Sequence, residues 1–228
     1  MSGSNADREP EPGRSTQPAA LFDLDSSLIG CESVRLFGLH MLGLPPAFAW
    51  RLCGAAVSDA LPTNLWWALA LWALGRVDAV AREAALHGFC EARGPAYPRG
   101  ALACIDWHRR QGHLLILLSA GPEALASRAA AELDFDAAVG SRIQLGGERA
   151  QLDGAECRGA ERLARLQQLE IFDAIDWPAS FAYSGRIDDL ALLGLVGQPI
   201  AARPGRRLRR HAIARGWEIV DWALPGER

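Results

Sequence analysis

Three short segments bring together side chains suited to catalysis. In Phe22-Asp23-Leu24-Asp25-Ser26-Ser27-Leu28 two carboxylates stand two residues apart at the end of an apolar run. On an extended chain they point to the same side. Two carboxylates about 4 Å apart repel by roughly 4 kcal/mol at an effective dielectric of 20, so the pair calls for a cation, a shared proton or divergent orientations beyond the strand end. Magnesium with oxygen ligands suits such a pair; Asp at a strand end is also an ordinary turn residue. The second segment, Leu117-Leu118-Ser119-Ala120-Gly121-Pro122-Glu123, carries a hydroxyl and small residues into a helical pattern. Backbone N–H groups there can hold a phosphate, and a Ser before a helix also serves as an N-cap. The third, Tyr183-Ser184-Gly185-Arg186-Ile187-Asp188-Asp189-Leu190, ends another apolar run with two more carboxylates.

The apolar runs at Ala19 to Leu24, Leu114 to Leu118, Phe181 to Tyr183, Pro199 to Ala202 and Glu218 to Val220 read as strands buried on both faces. Helical patterns at Pro98 to Gln111, Pro122 to Glu132, Gly159 to Glu170 and Arg206 to Arg215 alternate with them. This predicts an α/β fold with a Rossmann-like parallel sheet, in which ligands bind at the carboxyl ends of the strands. From about Ser33 to Ala92 the chain instead reads as helix after helix, punctuated by Leu44-Pro45-Pro46, Leu61-Pro62 and Gly75 and returning to the sheet through Gly94, Pro95 and Pro98. The expected organisation is a disordered polar tail over 1–18, a core formed by 19–32 and 94–228, and an all-helical cap over 33–93 lying above the site as a lid.

With 24 basic and 27 acidic residues in 228, and a formal net charge of −3, the chain lacks the footprint of a nucleic-acid binder. Small molecules are the expected partners. Every Lys-or-Arg position is an arginine, which excludes Schiff-base chemistry and Walker-type phosphate loops. Cys31, Cys53, Cys90, Cys104 and Cys157 form no close CxxC pair, so neither a disulfide framework nor a thiolate zinc site is indicated and a reducing cytoplasm fits. The most membrane-like stretch, Leu65 to Leu74, falls short of the ~20 residues of a spanning helix. It reads as a buried or partner-facing helix, with Trp66, Trp67 and Trp72 as a patch for a protein partner.

Taken in order, these segments resemble the haloacid dehalogenase superfamily, in its phosphoserine-phosphatase-like branch with a helical cap, over roughly Ala20 to Val220. The resemblance rests on Asp23, Asp25, Ser27 and Leu28 for a DxD motif, on Ser119 in a Ser-Ala-x-Pro-Glu context, and on Trp107 to His113 leading into the second strand. Arg203-Pro204, Leu208 and Arg215-Gly216-Trp217 match the C-terminal segment. It implies a phosphomonoesterase for a small phosphorylated metabolite. Asp23 would be the nucleophile that forms an aspartyl-phosphate, and Asp25 the group that protonates the leaving oxygen and then activates water. Ser119 and the Ala120 backbone would bind the phosphoryl oxygens, Mg2+ would be held by Asp23 and Asp25 with Asp188 or Asp189 nearby, and Glu32 would face the substrate's amino group.

The chain departs from the family pattern at two positions. Arg162 stands for the lysine that neutralises nucleophile and phosphate; it keeps the charge on a longer, planar group. Gly185 stands for an aspartate that ligates magnesium, so activity is expected to be weak, and an aspartate restored there is expected to tighten magnesium binding. The alternative is a catalytically weakened or inactive binding protein on the same fold.

Overall fold

Ala19–Asp23 (β1) is a run in which every side chain is buried, the pattern of a central strand covered on both faces. Residues 16–25, 27–29, 31–45, 49, 62–91 and 97–223 are described by the computed structural model. After β1 the described residues form the helices Ser33–Met41 (α1), Thr63–Gly75 (α2), Ala79–Glu91 (α3) and Arg99–Arg110 (α4), then Leu114–Pro122 (β2), Glu123–Glu132 (α5) and Ala137–Ser141 (β3). A small hairpin follows, Ile143–Gln144 (β4) and Gln151–Leu152 (β5), then Gly159–Leu166 (α6), Phe181–Ser184 (β6), Leu190–Leu193 (α7), Gln198–Ala202 (β7), Arg206–Arg215 (α8) and Glu218–Val220 (β8).

The main sheet has the order β3-β2-β1-β6-β7-β8, and its neighbouring strands are parallel. Alternation along β1 feeds two cores. Ala20 and Phe22 join Leu115, Leu117, Tyr183 and Ile200 on the face toward the helices between β1 and β2. Ala19 and Leu21 join Ile116, Leu118, Ala182 and the side chains of α6 to α8 on the other. The strand order reverses between β1 and β6, and in doubly wound sheets the crevice at that reversal is where ligands bind.

The α/β expectation and the five expected strands are all present, with β2 running on to Pro122. The helix expected over Gly159 to Glu170 is α-helical only as far as Leu166. β3 and the β4–β5 hairpin lay outside the sequence reading, since Ala137-Ala138-Val139-Gly140-Ser141 is too short and small-sided to stand out as an apolar run. The expected helical interval does carry α1 to α3, although Pro46, Leu61, Gly94 and Pro95 lie outside the described residues. So do residues 1–15 of the expected tail; Gln17 already bonds to Ala174 and Asp176 through its backbone. Arg82 of α3, 4% exposed, joins that helix to the hairpin by donating to the carbonyls of Leu145, Gly147 and Glu148 at 2.8 to 3.0 Å.

The tryptophan patch needs correction. Trp66 and Trp67 are buried against α1, where Phe37 meets Trp67 edge-on, and only Trp72 is exposed, stacked under Arg76. At about 100° per residue, Trp72 lies about 140° around the helix from Trp67, so the three rings cannot share a face. Among the described residues no helix is long and apolar enough to cross a membrane.

Candidate active site

The chain leaves β1 at Asp23 and turns sharply, with Leu28 and Ile29 both bonding back to the Leu24 carbonyl. This turn sends the two carboxylates apart. Asp23, 1% exposed, accepts from Arg162 Nη1 on Oδ1 at 3.0 Å and from Ser27 Oγ on Oδ2 at 3.3 Å. Asp25, 0% exposed, accepts from the Ser33 backbone N–H and hydroxyl on Oδ1, both at 2.5 Å. Its Oδ2 accepts from Ser119 Oγ at 2.7 Å and from the Ala120 N–H at 2.8 Å. Asp25 thereby ties the end of β1 to the start of α1 and to the end of β2. The approach is close: a Cβ on Gly121 would lie 1.9 Å from Ser33 Oγ, so only glycine fits there.

Arg162 enters from the first turns of α6 and is 1% exposed. Its Nη1 bridges Asp23 Oδ1 and Asp189 Oδ2, the latter at 2.8 Å, and Nε donates to the Cys157 carbonyl at 3.3 Å. Nη2 is buried with no acceptor. Asp189 also accepts from Ser184 Oγ at 2.6 Å, which anchors it to the end of β6. Asp188 turns away to a half-exposed position beside Arg186. Glu32 is buried near the site, but its carboxylate is engaged by Arg186, Arg158, Arg35 and Thr63 Oγ1 and is not held open for a cationic substrate group.

Burial pushes Asp23 up to about 8; Arg162 pulls against this, while Asp189 and Asp25 add to it. Burial also acts to raise Asp25, but the Ser33 hydroxyl and N–H bonds, the Arg158 charge and the Ser119 bond outweigh it and leave the group below the ordinary carboxylate range. Arg162 is held firmly protonated, because Asp189 and Asp23 more than offset its burial.

The described residues form an incomplete donor set for magnesium. No group of three or more His, Cys, Asp or Glu side chains among them is arranged to hold a metal ion. Position 185, where the resemblance implies a ligand, cannot simply be refilled: a Cβ on Gly185 would stand 2.8 Å from the Ala202 carbonyl oxygen and 3.1 Å from that of Arg203. The chain after β7 has closed onto Gly185, with Gly205 N–H bonded to its carbonyl and Arg203 at φ +47°. The expectation that an aspartate at 185 would tighten magnesium binding therefore meets a steric obstacle.

Asp23, Asp25, Ser119, Ala120, Arg162 and Asp189 thus converge, and Asp188 does not. Ser33, Arg158 and Arg186 belong to the same cluster and were not singled out from sequence. Ser33 looked like an ordinary helix start, and arginine is too common in this chain to draw notice.

The family model for haloacid dehalogenase-like hydrolases matches residues 20–194. Similar curated proteins include an inhibition of morphological differentiation protein of Streptomyces azureus, 27% identical over 91% of this chain and 79% of its own length. In Mycobacterium tuberculosis they include a probable phosphatase, 26% identical over 99% of this chain and 84% of its length, and a phosphoserine phosphatase, 28% identical over 98% and 76%. Among solved structures, a Bordetella pertussis protein of unknown function superposes with a TM-score of 0.71 at 24% identity, covering 92% of this chain and 100% of that one. A phospho-aspartyl intermediate analogue of phosphoserine phosphatase superposes with a TM-score of 0.60 at 15% identity, covering 92% and 95%.

Proposed function

The chain belongs to the haloacid dehalogenase-like hydrolases, and within that family we propose that it is a phosphomonoesterase acting on a small phosphorylated metabolite through Asp23. The observation that carries this reading is the setting of the Asp23 carboxylate. It lies at the sheet's switch point, has few hydrogen-bond donors among the described residues, and touches a buried guanidinium. Similar proteins named as a probable phosphatase and a phosphoserine phosphatase support the phosphoester class.

In the proposed reaction the ionised form of Asp23, which gains as pH rises toward about 8, attacks phosphorus through a carboxylate oxygen, the bond to the leaving oxygen breaks, and water then cleaves the acyl phosphate. Arg162 positions Asp23 and offsets the charge that gathers there. Ser119 and the Ala120 N–H stand ready for phosphoryl oxygens once they part from Asp25. As it stands, Asp25 accepts four hydrogen bonds and donates none, so it serves as a leaving-group acid only after giving some of them up. Leaving groups that depart without a proton, such as phenolates, suit this arrangement best. We also place the protein in a reducing cytoplasm, a reading supported by the free thiols of Cys104 and Cys157.

The test is hydroxylamine-sensitive labelling by a radiolabelled aryl phosphate, with Asp23→Asn as control. Label on the native protein alone is expected, and equal release of phenol by both proteins would overturn the assignment. A second reading, an anion-binding protein without turnover, is favoured by the ion pair of Asp23 with Arg162, which restrains the nucleophile. Phosphate binding with no label at all would select it.

A further inference from the structure

We propose that Arg162 is a built-in cation, and that this site captures a phosphate-type oxyanion with arginine donors alone, independently of a divalent metal ion. The inference deepens the phosphoester reading of the same site and rests on it for the choice of ligand.

The first argument is one of position. Arg162 Nη1 already occupies the space between two carboxylates, 3.0 Å from Asp23 and 2.8 Å from Asp189. A divalent ion seated between those oxygens would have to displace a guanidinium that is 1% exposed and has no solvent to move into. Position 185 adds no carboxylate to relieve that crowding, since it is a glycine and the carbonyls of Ala202 and Arg203 close off the space for another side chain.

The second argument concerns unused hydrogen-bond donors. Arg162 Nη2, Arg158 Nη1 and Nη2, and Arg186 Nε are buried nitrogens that make no hydrogen bond; Arg158 Nη2 has only its ion pair with Glu32 at 3.3 Å. Arg158 and Arg186 both pair with Glu32, whose neighbour Ser33 is bonded to Asp25, so these cations stand beside the acid pair. Leaving a charged donor buried without an acceptor is costly, and a ligand with several acceptor oxygens relieves that cost at several nitrogens together. Guanidinium groups suit this role because they remain charged and meet the oxygens of phosphate two at a time. A divalent ion exchanges with chelator, whereas a side chain cannot.

The test is calorimetric titration of the full chain with inorganic phosphate, first in excess EDTA and then in excess magnesium chloride. Saturable binding in EDTA with an affinity unchanged by magnesium is the expected result. Binding that appears only with magnesium would overturn the inference and needs no variant to interpret. Arg162→Lys, verified as folded by urea melting, is expected to weaken phosphate binding in EDTA by about 10-fold or more; undiminished binding in that variant would also overturn it. The two proposals fail separately. Phosphate binding in EDTA with no label on Asp23 sinks the hydrolase and leaves this inference standing. Turnover with both binding and rate dependent on magnesium does the reverse.

Discussion

Asp23 and Asp25 leave the same strand end with one residue between them, and their carboxylates settle in opposite surroundings. Asp25 lies between the starts and ends of other elements, where two backbone N–H groups and two hydroxyls converge on it. Asp23 lies at the switch point, where the described residues offer it one hydroxyl at 3.3 Å and one guanidinium that it shares with Asp189. Burial alone would push both toward the neutral form; only at Asp25 do enough donors converge to reverse it. A carboxylate saturated with donors makes a good structural tie and a poor nucleophile. One with few donors keeps its lone pairs for chemistry.

The largest expected effect is on turnover. Asp23→Asn should lower labelling by an aryl phosphate by at least about 10³-fold, read by single-turnover quench. In stability the order should reverse. Asp25→Ala leaves four buried donors without their acceptor and should cost about 3 kcal/mol or more in urea unfolding, whereas Asp23→Asn leaves Arg162 paired with Asp189 and removes a group whose ionisation burial opposes, so it should cost nothing at neutral pH. Equal losses in the two variants would erase the contrast.

Gly185→Ala sharpens the comparison from the metal side. Its Cβ must push back the backbone at Ala202 and Arg203, so a loss of about 1 to 3 kcal/mol is expected, measured by thermal or urea unfolding. A neutral substitution would mean the crevice is free to reopen.

The two acids should also leave opposite marks on the pH dependence of stability. Asp23 is raised from 3.8 to about 8, so its contribution is complete below 3.8 and is lost as pH rises toward 8. Asp25 is lowered, so its contribution is present above 3.8 and is lost as pH falls through its depressed value. Urea midpoints of the native protein should therefore decline between pH 4 and 8, a slope that Asp23→Asn removes. The smallest effect belongs to the α3 contact with the hairpin. Arg82→Ala should cost about 1 kcal/mol and speed amide hydrogen exchange over 145–148, with no effect at the β1 end.

Much of this molecule is legible in its amino-acid order, because strands buried on both faces must be apolar without interruption and those runs stand out. Leu114 to Leu118 could be placed on that ground, while β3, built of Ala, Val, Gly and Ser, could not. Strand ends likewise marked Asp23, Asp25, Ser119 and Asp189, while Arg162, inside a helix, was marked only by the resemblance to the family. Spacing could not separate Asp188 from Asp189, adjacent acids of which one is anchored by Ser184 and the other turns outward. Nor could it sort the tryptophans of α2 by face, because an almost uniformly apolar helix carries too little polarity to orient it.

Local order thus dictated the sheet, the identity of the acids and the absence of a carboxylate at position 185. Folding alone settled which acid is saturated with donors, which cation stands beside the other, and whether the gap at Gly185 stays open. Those outcomes depend on groups up to 139 residues apart meeting within 3 Å, and no spacing along the chain encodes a distance of that kind.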